Sequence, residues 1–380
     1  MIRCTHTGSL PRPPELTRLH ARRARGEAVD TARLQAVARS AVFDVVRRQV
    51  AAGLDIVNNG EQGRESFVLY LRDRLTGLGG ESRRRGFADI EAYAEFKAQL
   101  EVAQSGRESA SMTANLPAAV DRIRYVGQAA IQAECEEFHQ ALQEAGGREG
   151  FLAAPSPGIV ASVVENRHYA SFDAYLDALA EALAEEYRAI VAAGFILQID
   201  APDLALERHV GFQDRPLTDF LGFCEQVVEA INRAIAGLPR ERIRLHVCWG
   251  NYEAPHDRDV PLEAIWPIIR QARVGGFVLP FANPRHAHEH RVFARLPLAE
   301  EQVLTAGVID TLSNFVEHPE LVAERLERIA GSLGDAGRLQ AGTDCGFDTA
   351  AGRGRVARDV VWAKLSAMAE GARIASARLF

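Results

Sequence analysis

The feature that most limits how this chain can fold is a unit that recurs along it. A short apolar run stops abruptly at polar or charged residues, and a long helical pattern follows. Leu54-Asp55-Ile56-Val57 runs into Asn58-Asn59-Gly60-Glu61, and Phe195-Ile196-Leu197-Gln198-Ile199 runs into Asp200. Segments 243–248, 276–279, 303–310 and 339–345 repeat the pattern. Between them, residues 36–52 carry apolar side chains at helical spacing and stop at Gly53. Ser171 is placed to cap a helix that runs through Tyr187 to Gly194, and further helices are expected over 217–235, 262–272 and 355–370. Strands that alternate with helices imply parallel βαβ units. An open dinucleotide-binding sheet would share that rhythm, but no G-x-G-x-x-G follows the first strand. Polar residues gathered at strand C-termini are where a closed barrel keeps its active site. The expectation is therefore an α/β fold, a single (β/α)8 TIM-type barrel over residues 1–380. Residues 71–150 break the rhythm, being Arg/Glu-rich and then long and helical from 118 to 145. They are read as a helical insertion over the barrel mouth.

Composition narrows the function classes. A length of 380 residues, 47% of them hydrophobic and 25% charged, suits one large barrel with an insertion. The formal net charge is −7 and the one basic run is Arg83-Arg84-Arg85, so neither nucleic acid nor an anionic membrane is an expected partner. No apolar run reaches the roughly 20 residues of a membrane span. The opening MIRCTHTGSLPRP lacks the apolar stretch of a secretory signal. Five cysteines are scattered and odd in number, which argues against a disulfide framework and for a reducing cytoplasm. A homo-oligomer is left open.

His246 and Cys248 sit two apart at the C-terminal end of one expected strand, so their side chains share a face. Cys345 closes another short strand, and in a barrel such ends meet around one axis. Two thiolates and an imidazole suit Zn2+ and leave a coordination position for substrate. Spacing alone favours the plainer reading of a chance H-x-C and a buried core thiol, since three ligands on two elements are a weak signal.

Seven segments, in order along nearly the whole chain, change that balance: T-H-T-G-S-L-P-R-P at 5–13, N-N-G-E-Q-G-R at 58–64, Q-I-D-A-P-D-L at 198–204, H-V-C-W-G-N-Y at 246–252, F-A-N-P-R-H at 281–286, S-N-F-V-E-H-P-E at 313–320 and G-T-D-C-G-F at 342–347. They resemble the catalytic C-terminal barrel of cobalamin-independent methionine synthase, and more closely its shorter single-barrel relatives, which include the epoxyalkane:coenzyme M transferases. The resemblance implies a zinc held by His246, Cys248 and Cys345, with a small thiol and an alkyl donor as substrates. It also implies that Glu61 and Asp200 face the thiol, at positions that in methionine synthases grip the amino group of homocysteine. Ser9 would hold the far end of that substrate.

Two departures from the family matter. A fourth ligand, glutamate in the methionine synthases, is replaced by Pro280, and a proton-transferring histidine by Leu312. A thiol with a pKa near ~8.5 is mostly protonated at neutral pH, and coordination to Zn2+ would remove its proton. Without the carboxylate the site is formally neutral and should acidify a thiol more strongly. Without the histidine, alkyl transfer from a poor nitrogen leaving group lacks its acid, whereas an epoxide or sulfonium needs less help. Three readings follow. One is zinc-dependent methyl or alkyl transfer to a thiol such as homocysteine, as in methionine biosynthesis. Another is C–S bond formation or cleavage, as in the coenzyme M transferases. The last is an inactive barrel that binds a small molecule.

His318, in Glu317-His318-Pro319, is a candidate for the lost acid, or else a helix-entry residue. His6 lies in the first matched loop and is expected near the site. Trp249 and Asn251, after the ligand pair, are expected to line the substrate pocket together with Tyr252. His286, His288 and His290 are read as a solvated or substrate-facing rim in preference to a second metal centre.

Overall fold

The structure is a computed structural model that describes residues 1–104, 109–110 and 116–380. Its strands are β1 (Arg3–Cys4), β2 (Ile56–Val57), β3 (Leu78–Ser82), β4 (Leu116–Ala119), β5 (Glu149–Pro155), β6 (Glu165–Asn166), β7 (Ile196–Asp200), β8 (Ile243–His246), β9 (Gly276–Pro280), β10 (Val303–Ile309) and β11 (Leu339–Thr343). Eight of them form one parallel sheet in the order β1-β11-β10-β9-β8-β7-β5-β2. The ends of that sheet come together where Asp55 N donates to Cys4 O at 2.9 Å and Cys4 N donates to the Asp55 carboxylate at 2.7 Å. This nearly closed sheet, with helices between its strands, is the expected (β/α)8 architecture.

The helical layer follows from local chemistry. Asp30 caps the Thr31–Ala51 helix by accepting from Arg33 N, and Ser171 caps Phe172–Ala192 by accepting from Ala174 N. The second helix buries Tyr175, Leu176, Leu179, Leu183, Tyr187 and Ile190, a stripe at helical spacing that faces the sheet. Each large side chain so buried stabilises the fold by roughly 1.5–3 kcal/mol before the entropy of ordering it. The helix expected over 262–272 stops at Ile269, with Pro267 inside its last turn. The last helix starts later and runs further than expected, as Arg358–Leu379.

Residues 71–150 depart from the helical insertion read from the sequence. Leu116–Ala119 is a strand, with Ala118 opposite Gly79 and Ala119 opposite Leu78, and β6 extends the small sheet on its other side. Alanine favours helix by intrinsic propensity, but here the pairing with β3 and full burial decide. The helix expected from 118 begins at Gln128 and runs to Glu144. It belongs to the barrel wall, packed between the Thr31–Ala51 and Phe172–Ala192 helices. What does cover the mouth is residues 84–100, from which Phe87, Ile90 and Leu100 line the central cavity. Residues 105–108 and 111–115, within the 71–150 stretch, lie outside the described residues. No described helix is long and apolar enough to cross a membrane.

Candidate active site

Side chains alternate along β8, so Arg244, His246 and, just past the strand, Cys248 share one face and stay buried. Cys345 lies two residues beyond β11. Closure of the barrel brings the His246, Cys248 and Cys345 donor atoms within 4.8 Å of one another. His246 Nδ1 meets Asp200 Oδ1 at 3.0 Å, which places its proton on Nδ1. Its Nε2 is buried without a hydrogen-bond partner. The Cys345 thiol, donating to Cys248, and the neighbouring His246 together hold Cys248 well below the usual thiol range. Beside that charge Cys345 is pushed up, so the two sulfurs share one negative charge. Burial alone would lower His246, but the Cys248 charge and the Asp200 carboxylate raise it to about 10. An orphaned imidazole nitrogen aimed at two buried thiols is a soft donor set of two sulfurs and one nitrogen, and it fits Zn2+.

These donors open onto a cavity of about 460 Å3. Glu61 and Asp200 share its floor with them, and Phe67, Phe87, Ile90, Leu100, Ile159 and Leu206 form apolar walls. Glu61 follows β2 in a left-handed conformation (φ 55°), its amide held by the Asn59 side chain and its carbonyl by Arg12. One carboxylate oxygen, Oε2, is buried without a partner. Burial, then the Asp200 charge, push the Glu61 carboxyl up to about 7. Gly8 (φ +143°) lets the chain pass close beneath it, since a Cβ there would lie 2.5 Å from Glu61 Oε1.

Asp200 has more than one task. Its Oδ1 also accepts from Gln198 Nε2 at 2.8 Å, and Gln198 Oε1 accepts from Arg244 Nε at 2.8 Å. Arg244 is buried over the Phe151 ring, 3.9 Å from its centroid, and burial lowers it to about 9. A chain Arg244–Gln198–Asp200–His246 thus orients the imidazole, as carboxylate–histidine pairs do at metal sites. The sequence reading passed over Gln198 and Arg244. The same two-residue alternation that paired His246 with Cys248 would have found both.

The other expected residues divide. Ser9 lines the cavity, its Oγ accepting from Asp348 N. Asn251 lines it too, fixed by Thr311 at 2.9 Å and Gly346 O at 2.7 Å. Trp249 does not reach the main cavity. It borders a second cavity of about 20 Å3 behind Cys248 and Cys345, with its indole N–H on Val260 O. Pro280 and Leu312 border that small cavity as well. His6 sits beneath the floor, held by Gln49 at 2.7 Å and kept neutral by burial, which lowers it to about 3. It does not line the cavity. His318 is exposed at the start of the Pro319–Leu333 helix, where its Nδ1 accepts from Glu320 N. It is a helix cap that lines neither cavity, because Pro319 begins the helix there. Of the three histidines read as a rim, His288 is exposed, His290 bonds Ser332, and His286 is buried among His256, Asp259 and Glu289.

Comparison with known proteins agrees with this architecture. The methionine synthase of Thermococcus kodakarensis is 26% identical over 368 residues, covering 97% of this chain and 91% of its own. The 2-hydroxypropyl-CoM lyase of Xanthobacter autotrophicus is 25% identical over 369 residues, covering 89% of this chain and 85% of its own. A B12-independent methionine synthase structure from Shewanella sp. W3-18-1 superimposes with a TM-score of 0.71 at 20% identity, covering 100% of this chain and 99% of that one, and so shares the fold. The family described as "Cobalamin-independent synthase, Catalytic domain" matches residues 2–373, and the chain belongs to that family.

Proposed function

We propose that this chain is a zinc-dependent transferase that moves a methyl or other alkyl group to the sulfur of a small thiol carrying an amino group, of which homocysteine is the model. One observation carries the reading: the His246–Cys248–Cys345 donors and the paired carboxylates Glu61 and Asp200 open on the same cavity floor. Zn2+ held by the three donors would supply the Lewis acidity that keeps a substrate thiol deprotonated near neutral pH.

The rest is work for the chain's own residues. A substrate ammonium satisfies the orphaned Glu61 Oε2, and its positive charge draws the raised Glu61 carboxyl back into ionised form. Asp200 keeps the His246 ring in register, while Ser9 and Asn251 offer polar contacts to the far end of the thiol. The apolar wall of Phe87, Ile90 and Leu100 shields the sulfur from water. In the transfer a sulfur–carbon bond forms as the carbon–leaving-group bond breaks, and the leaving group departs with the electron pair. Cys248 and Cys345 lie close enough to react with each other, so the chemistry calls for a reducing compartment such as the cytoplasm.

C–S bond formation or cleavage without an amino-bearing thiol has one observation in its favour. Leu312 stands where the methionine synthases are expected to carry an acid, and a 2-hydroxypropyl-CoM lyase is among the relatives. Glu61 and Asp200 oppose it, because an anionic thiol would face two carboxylates. The test is product formation with homocysteine and with an anionic thiol, each against methylfolate, sulfonium and epoxide donors. Turnover of homocysteine that is lost in His246→Ala and Cys345→Ser supports the proposal. Turnover of the anionic thiol alone would contradict it.

A further inference from the structure

A second cluster of metal-binding side chains lies next to the cavity, and the proposed thiol chemistry makes no use of it. His209 comes from the turn after β7, His256 and Asp259 from the connection after β8, and His286 from the loop after β9. The side chains of all four are at most 5% exposed. We propose that His209, His256, Asp259 and His286 form a second site for a divalent transition metal of the zinc class, distinct from the His246–Cys248–Cys345 centre.

The outer nitrogens carry the argument. His256 Nε2 lies 2.9 Å from the Tyr252 carbonyl, which can only accept, so that nitrogen keeps a proton and Nδ1 is the one turned inward, where a metal ion can take the place of its second proton. His286 Nδ1 lies 2.9 Å from Glu289 Oε2, which leaves its Nε2 inward in the same way. Both inner nitrogens approach one oxygen, Asp259 Oδ2, at 2.8 Å. The His256, Asp259 and His286 donor atoms all lie within 4.8 Å of one another. His209 has its Nε2 fixed by the Tyr252 hydroxyl at 2.8 Å and turns Nδ1 toward Asp259 Oδ1 at 3.3 Å. Those last two atoms are buried without a hydrogen-bond partner. Ring nitrogens pinned from outside by a carbonyl, a carboxylate and a hydroxyl, with the inner set converging on one carboxylate, is the arrangement that orients metal-binding imidazoles.

His256 adds a second sign. It is a buried non-glycine residue in the left-handed region (φ 54°), its amide tied to Asp89 Oδ2. Such conformations are strained and persist where surrounding structure imposes them. Two imidazoles and one carboxylate, with a third imidazole beside them, suit Zn2+, with Co2+ and Ni2+ as substitutes. The His256, Asp259 and His286 donors make the site, and His209 Nδ1 stands beside them, 3.3 Å from Asp259 Oδ1. Such a site would tie three successive loops of the barrel mouth together. Trp249, next to Cys248, stacks on His286 at 3.9 Å, so the tie bears on the loop that carries the first centre.

The test counts metal in full-length protein stripped with a chelator, reloaded with Zn2+ or Co2+ under reducing conditions and desalted. The wild type should hold two equivalents, a Cys248→Ser/Cys345→Ser variant one, and His256→Gln/His286→Gln one. With Co2+, the sulfur-to-metal charge-transfer band should survive in the histidine variant and vanish in the cysteine variant, which keeps the weaker visible bands. Asp259→Asn, the least disruptive change, should also lose one equivalent with an unchanged far-UV CD spectrum. One equivalent in the wild type and none in the cysteine variant would overturn the second site and leave protons as the occupants of the cluster. One equivalent that survives the cysteine changes and is lost in Asp259→Asn would support the second site and overturn the first.

Discussion

Asp200→Asn separates the two tasks assigned to that carboxylate. Asp200 Oδ1 accepts from His246 Nδ1 at 3.0 Å and from Gln198 Nε2 at 2.8 Å. Asparagine can keep the shape and one acceptor, but the charge is gone. A hydrogen bond to a charged group contributes about 1.5–3 kcal/mol and a neutral one about 0.5–1.5 kcal/mol. The loss on the imidazole is therefore about 1–1.5 kcal/mol, or roughly tenfold in an equilibrium constant. That lies at the lower edge of the ~10–100-fold loss typical when a partner of a metal-binding histidine is changed. The assay is competition for Zn2+ against a chromophoric chelator at fixed pH, with far-UV CD to confirm the fold. Zinc affinity should fall about tenfold. Affinity within twofold of wild type, together with weakened thiol binding, would refute the orienting role and leave Asp200 as a substrate contact alone.

Three further substitutions probe the site. Glu61 is raised from 4.5 to about 7, so its contribution to stability is full below pH 4.5 and lost as pH rises through about 7. Glu61→Gln removes that loss: urea unfolding should find the variant more stable than wild type above pH 8, by up to ~3 kcal/mol, and level with it near pH 4. The same variant should bind homocysteine at least tenfold more weakly at pH 8, as calorimetry would read, because the ammonium loses a charged partner. Gly8→Ala puts a methyl 2.5 Å from Glu61 Oε1 at φ +143°, and should lower stability by about 1–3 kcal/mol and weaken thiol binding with it, both checked on purified protein. His318→Ala removes only a helix cap and should cost about 0.5–1 kcal/mol in thermal unfolding while alkyl transfer stays within twofold; a tenfold fall in kcat would restore it as the acid.

Much of the barrel could be read from the sequence because its strands are short apolar runs and its helices are capped and striped, as Ser171 and the helix behind it illustrate. The segment 116–119 was hidden for a physical reason. Leu-Pro-Ala-Ala has no strand signature of its own, and its pairing with β3 is a tertiary fact. Two-residue alternation and the meeting of strand ends allowed His246, Cys248 and Cys345 to converge, but only the resemblance carried by seven ordered segments singled them out from a chance H-x-C and a core thiol. His318 stayed open between acid and helix-entry residue because a histidine before a helix-opening proline serves a cap as well as it serves chemistry. The His209–His256–Asp259–His286 cluster was out of reach. Its members stand in three loops, whereas the conspicuous local spacing is His286-Ala287-His288-Glu289-His290, whose histidines do not meet.

In the proposed function the two cysteines and His246 hold a zinc that takes a substrate sulfur. Zinc-edge X-ray absorption on Asp259→Asn, which isolates the first centre, tests it most directly, recorded with and without homocysteine. One zinc with two sulfur neighbours is expected at rest and three when homocysteine is bound, with Cys345→Ser losing the metal. A sulfur count that stays at two in saturating homocysteine, or a reconstituted protein that holds no zinc, would contradict it.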